Sequence, residues 1–438
     1  MDTDLIQQRL SELTRAHGVP GAQFAVHRHG RTWTCAVGEA STGTPLTDDA
    51  AVPIGSITKT FTATVVMALV SDGDLELDAP LSDHLPELRR VASDLGTQLT
   101  ARHLLSHTGG LPSDPEDAHG TSLRRHVLEA FRTLEPLHRP GAGFSYSNIG
   151  YVLLGHLIEV LTGMSWWEAV DSVLLRPLGV PARFTVGPGA DPAVVPGHAV
   201  HPRTRRVVPV RQSLALVDAP AGALAASATD LLALGRMLGG GAPPLVAPED
   251  LALMRTPVRH AEPFGMADGW GLGLALWQRD GSTWVGHDGN GDGTSCHLRI
   301  NPEDGTVVAL TTNGSSGLPL WRRLVPELAE AGLPVGDYDG FRNLARRIPP
   351  PPDCTGSFLN GDTEYAVRAA DREHLVLTVD GEPFADLSLF DGLVFAMRDS
   401  DTGDTSQTGR FLRNPRDGGI EWIQIGGRLA RRQVPEMA

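Results

Sequence analysis

Lysine is all but missing from this chain. Of its 37 Lys and Arg residues, 36 are arginine, and Lys59 is the single lysine. Arginine stays protonated in a protein, whereas a desolvated lysine can give up its proton, so Lys59 is a candidate for a titratable amine. Cysteine is scarce as well. Cys35, Cys296 and Cys354 give no disulfide framework, and their spacing fits no zinc pattern, so no metal or other cofactor is expected. His103 and His107 are four apart with no third ligand in view, and read as cap or core residues. There are four tyrosines. No run approaches the ~18 apolar residues of a membrane span. A net charge of −15 argues against nucleic acid or an anionic membrane as partner. Met1 to Leu13 lacks a basic start, an apolar core and a small-residue cleavage site. Its apolar residues at 5, 10 and 13 predict an amphipathic helix, and the expectation is a cytoplasmic protein.

Three short elements carry chemistry. The first is Gly55-Ser56-Ile57-Thr58-Lys59, a Ser-x-x-Lys spacing that serine nucleophiles use. Apolar residues at 61, 65, 66 and 69 predict a helix after it. Ser56 would sit at the helix start with Lys59 one turn on, within hydrogen-bonding reach. The free amides of a helix start suit a developing oxyanion. The second element is Tyr146-Ser147-Asn148, whose outer residues point the same way in an extended or looped backbone. A Tyr hydroxyl near an ammonium is a candidate base, and Asn148 can both donate to and accept from a substrate amide. The third is His287-Asp288-Gly289-Asn290-Gly291, after the strand-like Ser282 to Val285. Here His287 can relay a proton and Gly289 can let a ligand approach the backbone.

In that order the elements resemble the serine β-lactamase and penicillin-binding-protein superfamily. Within it they resemble the class C-like branch, which holds esterases, D-aminopeptidases and peptide cyclases. The resemblance also rests on Leu104-Leu105-Ser106-His107-Thr108-Gly109-Gly110-Leu111, Pro177-Leu178-Gly179, Pro220-Ala221-Gly222-Ala223-Leu224 and Trp270-Gly271-Leu272-Gly273, and spans about residues 5 to 335. It implies acyl transfer through an acyl-enzyme on Ser56, with Lys59, Tyr146, Asn148 and His287 in the site. The backbone amides of Ser56 and Asn290 would form the oxyanion hole, and Gly289, Trp270 and Arg428 are candidate substrate contacts. Asp288 stands where small hydroxyl residues are common. It is expected to add negative charge near the site and to disfavour a β-lactam carboxylate. Within the branch the chain looks most like penicillin-binding-protein-type thioesterases. These release a nonribosomal peptide from a carrier-protein thioester by head-to-tail cyclisation, with a D-residue as acyl donor. A cytosolic D-aminopeptidase, carboxylesterase or other serine hydrolase of the same fold is the alternative, acting on a small peptide or ester.

The predicted fold is α/β and β-lactamase-like: an antiparallel sheet flanked by helices, plus a helical subdomain, over residues 1–348. A hairpin is expected across 21–38, and strands at 271–277, 282–286, 294–300 and 306–312, so that the sheet draws on both chain ends. Pro349 to Pro352 reads as a stiff linker. Residues 354–438 change character. Strands at 364–369, 374–379, 385–390, 392–398, 408–413 and 420–426, with Asp-Gly turns at 380, 391 and 417, predict a small antiparallel barrel resembling a lipocalin-like domain. It would wall the cleft, or merely cover apolar surface.

Overall fold

The computed structural model describes residues 1–433 apart from 91–93, 114–121, 189, 202, 343 and 372–373. Residues 434–438, the end of the segment expected to form the barrel, lie outside the described residues. The central sheet has eight antiparallel strands in the order Thr44–Pro45, Arg31–Ser41, Gly21–Arg28, Thr306–Thr312, Thr294–Asn301, Ser282–Gly291, Ala275–Arg279 and Gly269–Trp270. The first and last parts of the region before the barrel meet where Gly21–Arg28 pairs with Thr306–Thr312, Ala25 opposite Ala309. Alternate residues point to opposite faces. Val308 and Leu310 pack with Ile6, Leu10, Leu320 and Leu324 of the helices Thr3–His17 and Gly317–Glu330, while Val307 and Ala309 join a larger core on the other face.

That larger core surrounds the helix Thr58–Ser71, in which every side chain from Thr58 to Leu69 is buried. The four apolar positions expected to mark one face mark only part of it. The hydroxyls of Thr60, Thr62 and Thr64 make the remaining faces buriable by donating to the carbonyls of Gly273, Pro220 and Thr60. Among the described residues no single helix is long and apolar enough to cross a membrane.

Residues 356–432 form a closed barrel of eight antiparallel strands. Its interior is filled by side chains, among them Phe358, Leu377, Leu387, Phe395 and Phe411, as fits an eight-stranded barrel. The proline run before it is no free linker. Ile348, just before it, donates its N–H to Leu389 O, Arg347 bridges Phe390, and Asp353 O, just after it, accepts from Arg432 Nη2, so both ends of the run are tied to the barrel.

Candidate active site

Ser56 lies in a single 3-10 turn, Gly55–Ile57, that precedes the helix Thr58–Ser71. Two glycines bring this turn against the strand Ser282–Gly291. Gly55 has φ +50°, and a Cβ there would stand 2.2 Å from Asn290 O. A Cβ on Gly289 would stand 1.9 Å from Ile54 O. The sequence suggested that Gly289 makes room for a ligand; the room is taken by the protein's own turn. Along the strand Ser282–Gly291, the neighbour Ala275–Arg279 reaches only residues 282–286, which leaves the edge of 287–291 to the Ser56 turn. Asn290 and Ser56 are thereby neighbours through backbone.

Lys59 is fully buried, with Nζ 3.1 Å from Ser56 Oγ and 2.9 Å from Ala221 O, to both of which it donates. Nζ also lies 5.1 Å from the Tyr146 ring centroid and 5.7 Å from that of Tyr151. Asn148 opens the helix Asn148–Thr162, capped by Ser147 Oγ accepting from Gly150 N–H. Tyr146 and Asn148 thus stand at a helix entrance, with the Tyr146 ring beside Lys59.

His287 is 1 % exposed and packs edge-on to Trp270 at 5.3 Å and beside Tyr146 at 6.2 Å between centroids. Burial, then Lys59, pushes its pKa down to about 4, so the ring is neutral at physiological pH. Nδ1 contacts Asp288 O at 2.5 Å, and Nε2 is buried without a partner among the described residues. A carbonyl only accepts, so the proton is on Nδ1 and Nε2 is the acceptor.

The Asp288 expectation is corrected. Along a strand, side chains alternate between faces, and the Asp288 carboxylate leaves on the face opposite to His287. There Arg299 holds it at 2.6 and 3.1 Å, and His297 Nδ1 at 2.7 Å. Burial alone would raise its pKa, but Arg299 and His297 outweigh burial and drive it far below the usual carboxylate range. No uncompensated charge is added to the cleft.

Trp270, a candidate substrate contact, is 1 % exposed. It forms the back wall of the site against His107, Phe144, Tyr146 and His287. Arg428 does reach the site. The barrel's last hairpin turns at Gly426-Gly427, and Gly427 O accepts the Tyr146 N–H at 3.0 Å. The Arg428 guanidinium carbon lies 5.4 Å from the Tyr146 ring centroid. Its Nε donates to Ser113 Oγ at 2.9 Å, and Ser113 Oγ donates to Tyr146 O at 3.0 Å. Asn360 of the barrel accepts from Ser113 N–H at 2.7 Å.

From the sequence, His107 reads only as a cap or core residue. It sits at φ 55°, a left-handed conformation uncommon outside glycine, and its Nδ1 accepts the Ser147 N–H at 3.1 Å. Its ring lies 4.4 Å from that of Tyr146. Burial, then Lys59, holds its pKa well below the ordinary value. Tyr151, whose hydroxyl donates to Leu105 O, floors the site beneath Lys59. The signal for both lay in the segments 104–111 and 146–151, where a histidine and a second tyrosine flank the Tyr-x-Asn element.

Residues 6–333 match the family model described as Beta-lactamase. Penicillin-binding protein 4 of Amycolatopsis lactamdurans is 34% identical over 358 residues, covering 75% of this chain and 91% of that protein. The crystal structure of SurE is 40% identical and covers 98% of each chain, with a TM-score of 0.86. SurE with D-Leu is 39% identical over 98% of this chain and 99% of that one, with a TM-score of 0.84. D-amino acid amidase from Ochrobactrum anthropi SV3, complexed with L-phenylalanine amide, is 25% identical over 75% of this chain and all of its own, with a TM-score of 0.63.

Proposed function

The chain belongs to the beta-lactamase family of serine enzymes, and from that premise we propose that it is a penicillin-binding-protein-type thioesterase and peptide cyclase. At the coarser level it is a serine acyl-transfer or hydrolytic enzyme. In the finer reading a peptidyl thioester on a carrier protein donates its acyl group to Ser56, and the peptide's own amino terminus takes it to close a macrolactam.

In acylation, Ser56 Oγ bonds to the thioester carbonyl carbon and its proton passes to the Lys59–Tyr146 pair. The N–H groups of Ser56 and Asn290 take up the oxyanion. The C–S bond then breaks and the departing sulfur takes the proton. In deacylation the amine nitrogen bonds to the same carbon and yields a proton to the pair, and Ser56 Oγ leaves with a proton returned. Asn148 holds the peptide amide, and the neutral His287 Nε2 helps to relay the proton between the Lys59–Tyr146 pair and the reacting groups. Arg428 orients the peptide from the barrel side.

The carrying observation is the whole-length likeness to SurE, barrel included, where one structure of that protein holds D-Leu. The choice of a D-residue donor rests on it. Likeness to the D-amino acid amidase favours the second reading, hydrolysis of a D-residue amide or ester, but covers 75% of this chain. The test offers a linear peptidyl N-acetylcysteamine thioester ending in D-Leu, with a free amino terminus, and weighs the product. Cyclic peptide, one water lighter than the free acid, is expected. Free acid alone from every thioester offered establishes the hydrolase instead.

A further inference from the structure

The Arg299 guanidinium is fully buried and all five of its N–H groups are used. Nε donates to Gly336 O at 3.1 Å. Nη1 donates to Asp288 Oδ1 at 2.6 Å and Leu298 O at 3.1 Å. Nη2 donates to Asp288 Oδ2 at 3.1 Å and Asp337 Oδ1 at 2.7 Å. Its flat face lies 3.5 Å from the Trp277 ring centroid. His297, stacked on Trp321 at 4.8 Å and 7°, holds the same Asp288 oxygen from the other side. Such an arrangement costs desolvation, and a well-packed apolar cluster would stabilise the fold at least as well. A fold requirement alone therefore does not explain it. Its connections do: Asp288 is the residue whose main-chain carbonyl contacts His287 Nδ1.

We propose that Arg299 is a positioning residue for His287. By clamping the Asp288 carboxylate in a two-point grip, it fixes the Asp288 carbonyl that receives the Nδ1 proton, and so keeps Nε2 as the buried acceptor beside Tyr146. The register makes this possible. Asp288 stands opposite His297 and Gly286 opposite Arg299, so Asp288, His297 and Arg299 share one face while His287 serves the other. A planar fork is needed to grip both carboxylate oxygens and Asp337 together. The inference rests on Ser56 being the nucleophile, and not on whether an amine or water resolves the acyl-enzyme.

The test uses full-length protein and Asp288→Asn, which keeps the side chain's shape and removes its charge. Three quantities are read: the rate of Ser56 labelling by a fluorophosphonate, kcat and KM on the D-Leu N-acetylcysteamine thioester, and the His287 tautomer by NMR of 15N-histidine protein, assigned with His287→Gln. Labelling rate and kcat are expected to fall about 10- to 100-fold, as small misplacements at reacting groups do. KM stays within about twofold, and the Nδ1–H tautomer becomes a mixture. Arg299→Lys, which keeps charge without the fork, gives the same pattern. If Asp288→Asn does not fold, Asp337→Asn replaces it, with a fall of roughly 3- to 10-fold in the same quantities. Unchanged rates with an unchanged tautomer overturn the proposal. So does a loss that matches the fraction of unfolded protein by circular dichroism. If wild type labels at Ser56 but turns over no thioester, the thioester reading falls, while the labelling comparison still decides the role of Arg299.

Discussion

Lys59 is buried, and its amine reaches both the nucleophile and the Ala221 carbonyl, so charge alone does not define its task. Lys59→Arg should cost about 10³-fold in kcat, nearly as much as Lys59→Ala. A guanidinium cannot take the serine proton and is too large for the pocket; general-base assistance is commonly worth 10² to 10⁴. Retention of most activity in steady-state assays would leave Tyr146 as the sole base. Ser56→Ala should lose at least about 10⁴-fold in turnover and all fluorophosphonate mass adduct, and an adduct that survives moves the nucleophile elsewhere. His287 carries a third expectation. Its pKa is about 4 when folded, against an ordinary value near 6.5. The unfolded chain therefore binds the proton first as pH falls. The neutral ring's contribution, roughly 3 kcal/mol, is intact above about pH 6.5 and lost progressively towards pH 4. His107 and His103, also lowered by burial, act in the same direction, so the reading is a difference. In urea titrations at pH 7 and pH 5, His287→Gln should lose less stability than wild type. Equal losses would mean that His287 is not neutral in the folded protein.

At the scale of elements, the site is a 3-10 turn pressed against a strand edge. Gly289→Ala places a methyl where Ile54 O already stands. Turn and strand must part, at about 1–3 kcal/mol of stability. The Ser56–Asn290 oxyanion geometry should then fail, with kcat down about 10²-fold or more. Wild-type kcat in a folded Gly289→Ala protein would show that Asn290 is not part of that hole. The glycines that make the contact also hid it from sequence reading. Glycine weakens a strand signal, so the strand expected at 282–286 runs on to Gly291. Ser56, Lys59, Tyr146 and His287, which the structure brings together, were legible because each motif keeps its members within a turn or two of chain. Arg299 was not, because its grip on Asp288 crosses two strands whose register no local pattern encodes. His107 was read as a cap or core residue, and its burial is real; what was unreadable is that Tyr146 forms the other side of that core.

Across the whole molecule, most of the central sheet was legible from strand-like runs near both ends of the region before the barrel, although the strand expected at 271–277 is instead Gly269–Trp270 and Ala275–Arg279. Six of the barrel strands were legible from their Asp-Gly turns. Gly356–Asn360 and Arg428–Arg432 were missed, one following the proline run and the other following Gly426-Gly427. They are the two strands that pair to close the barrel. Closure also fixes the hairpin whose Gly427 O holds Tyr146. In the proposed function the barrel, held beside Tyr146 by that hairpin, would wall the acyl-enzyme from solvent. That exclusion matters for cyclisation, because water at ~55 M competes with a tethered amine whose effective concentration is of order mM for a flexible tether and far higher when preorganised. A solved relative matches 75% of this chain across all of its own length, and residues 1–348 are the part of this chain that precedes the barrel. The truncated protein should still acylate at Ser56 and yet shift its products from cyclic peptide towards free acid by about tenfold or more. Arg428→Ala in the full chain should shift the ratio the same way, by less, because Tyr146 keeps its bond to Gly427 while the peptide loses a guanidinium. Cyclic and linear products from one thioester, quantified by mass spectrometry for the three proteins, give the answer. A ratio unchanged in folded truncated protein would assign the barrel to stability alone, because nothing else on the catalytic side would then depend on its last hairpin.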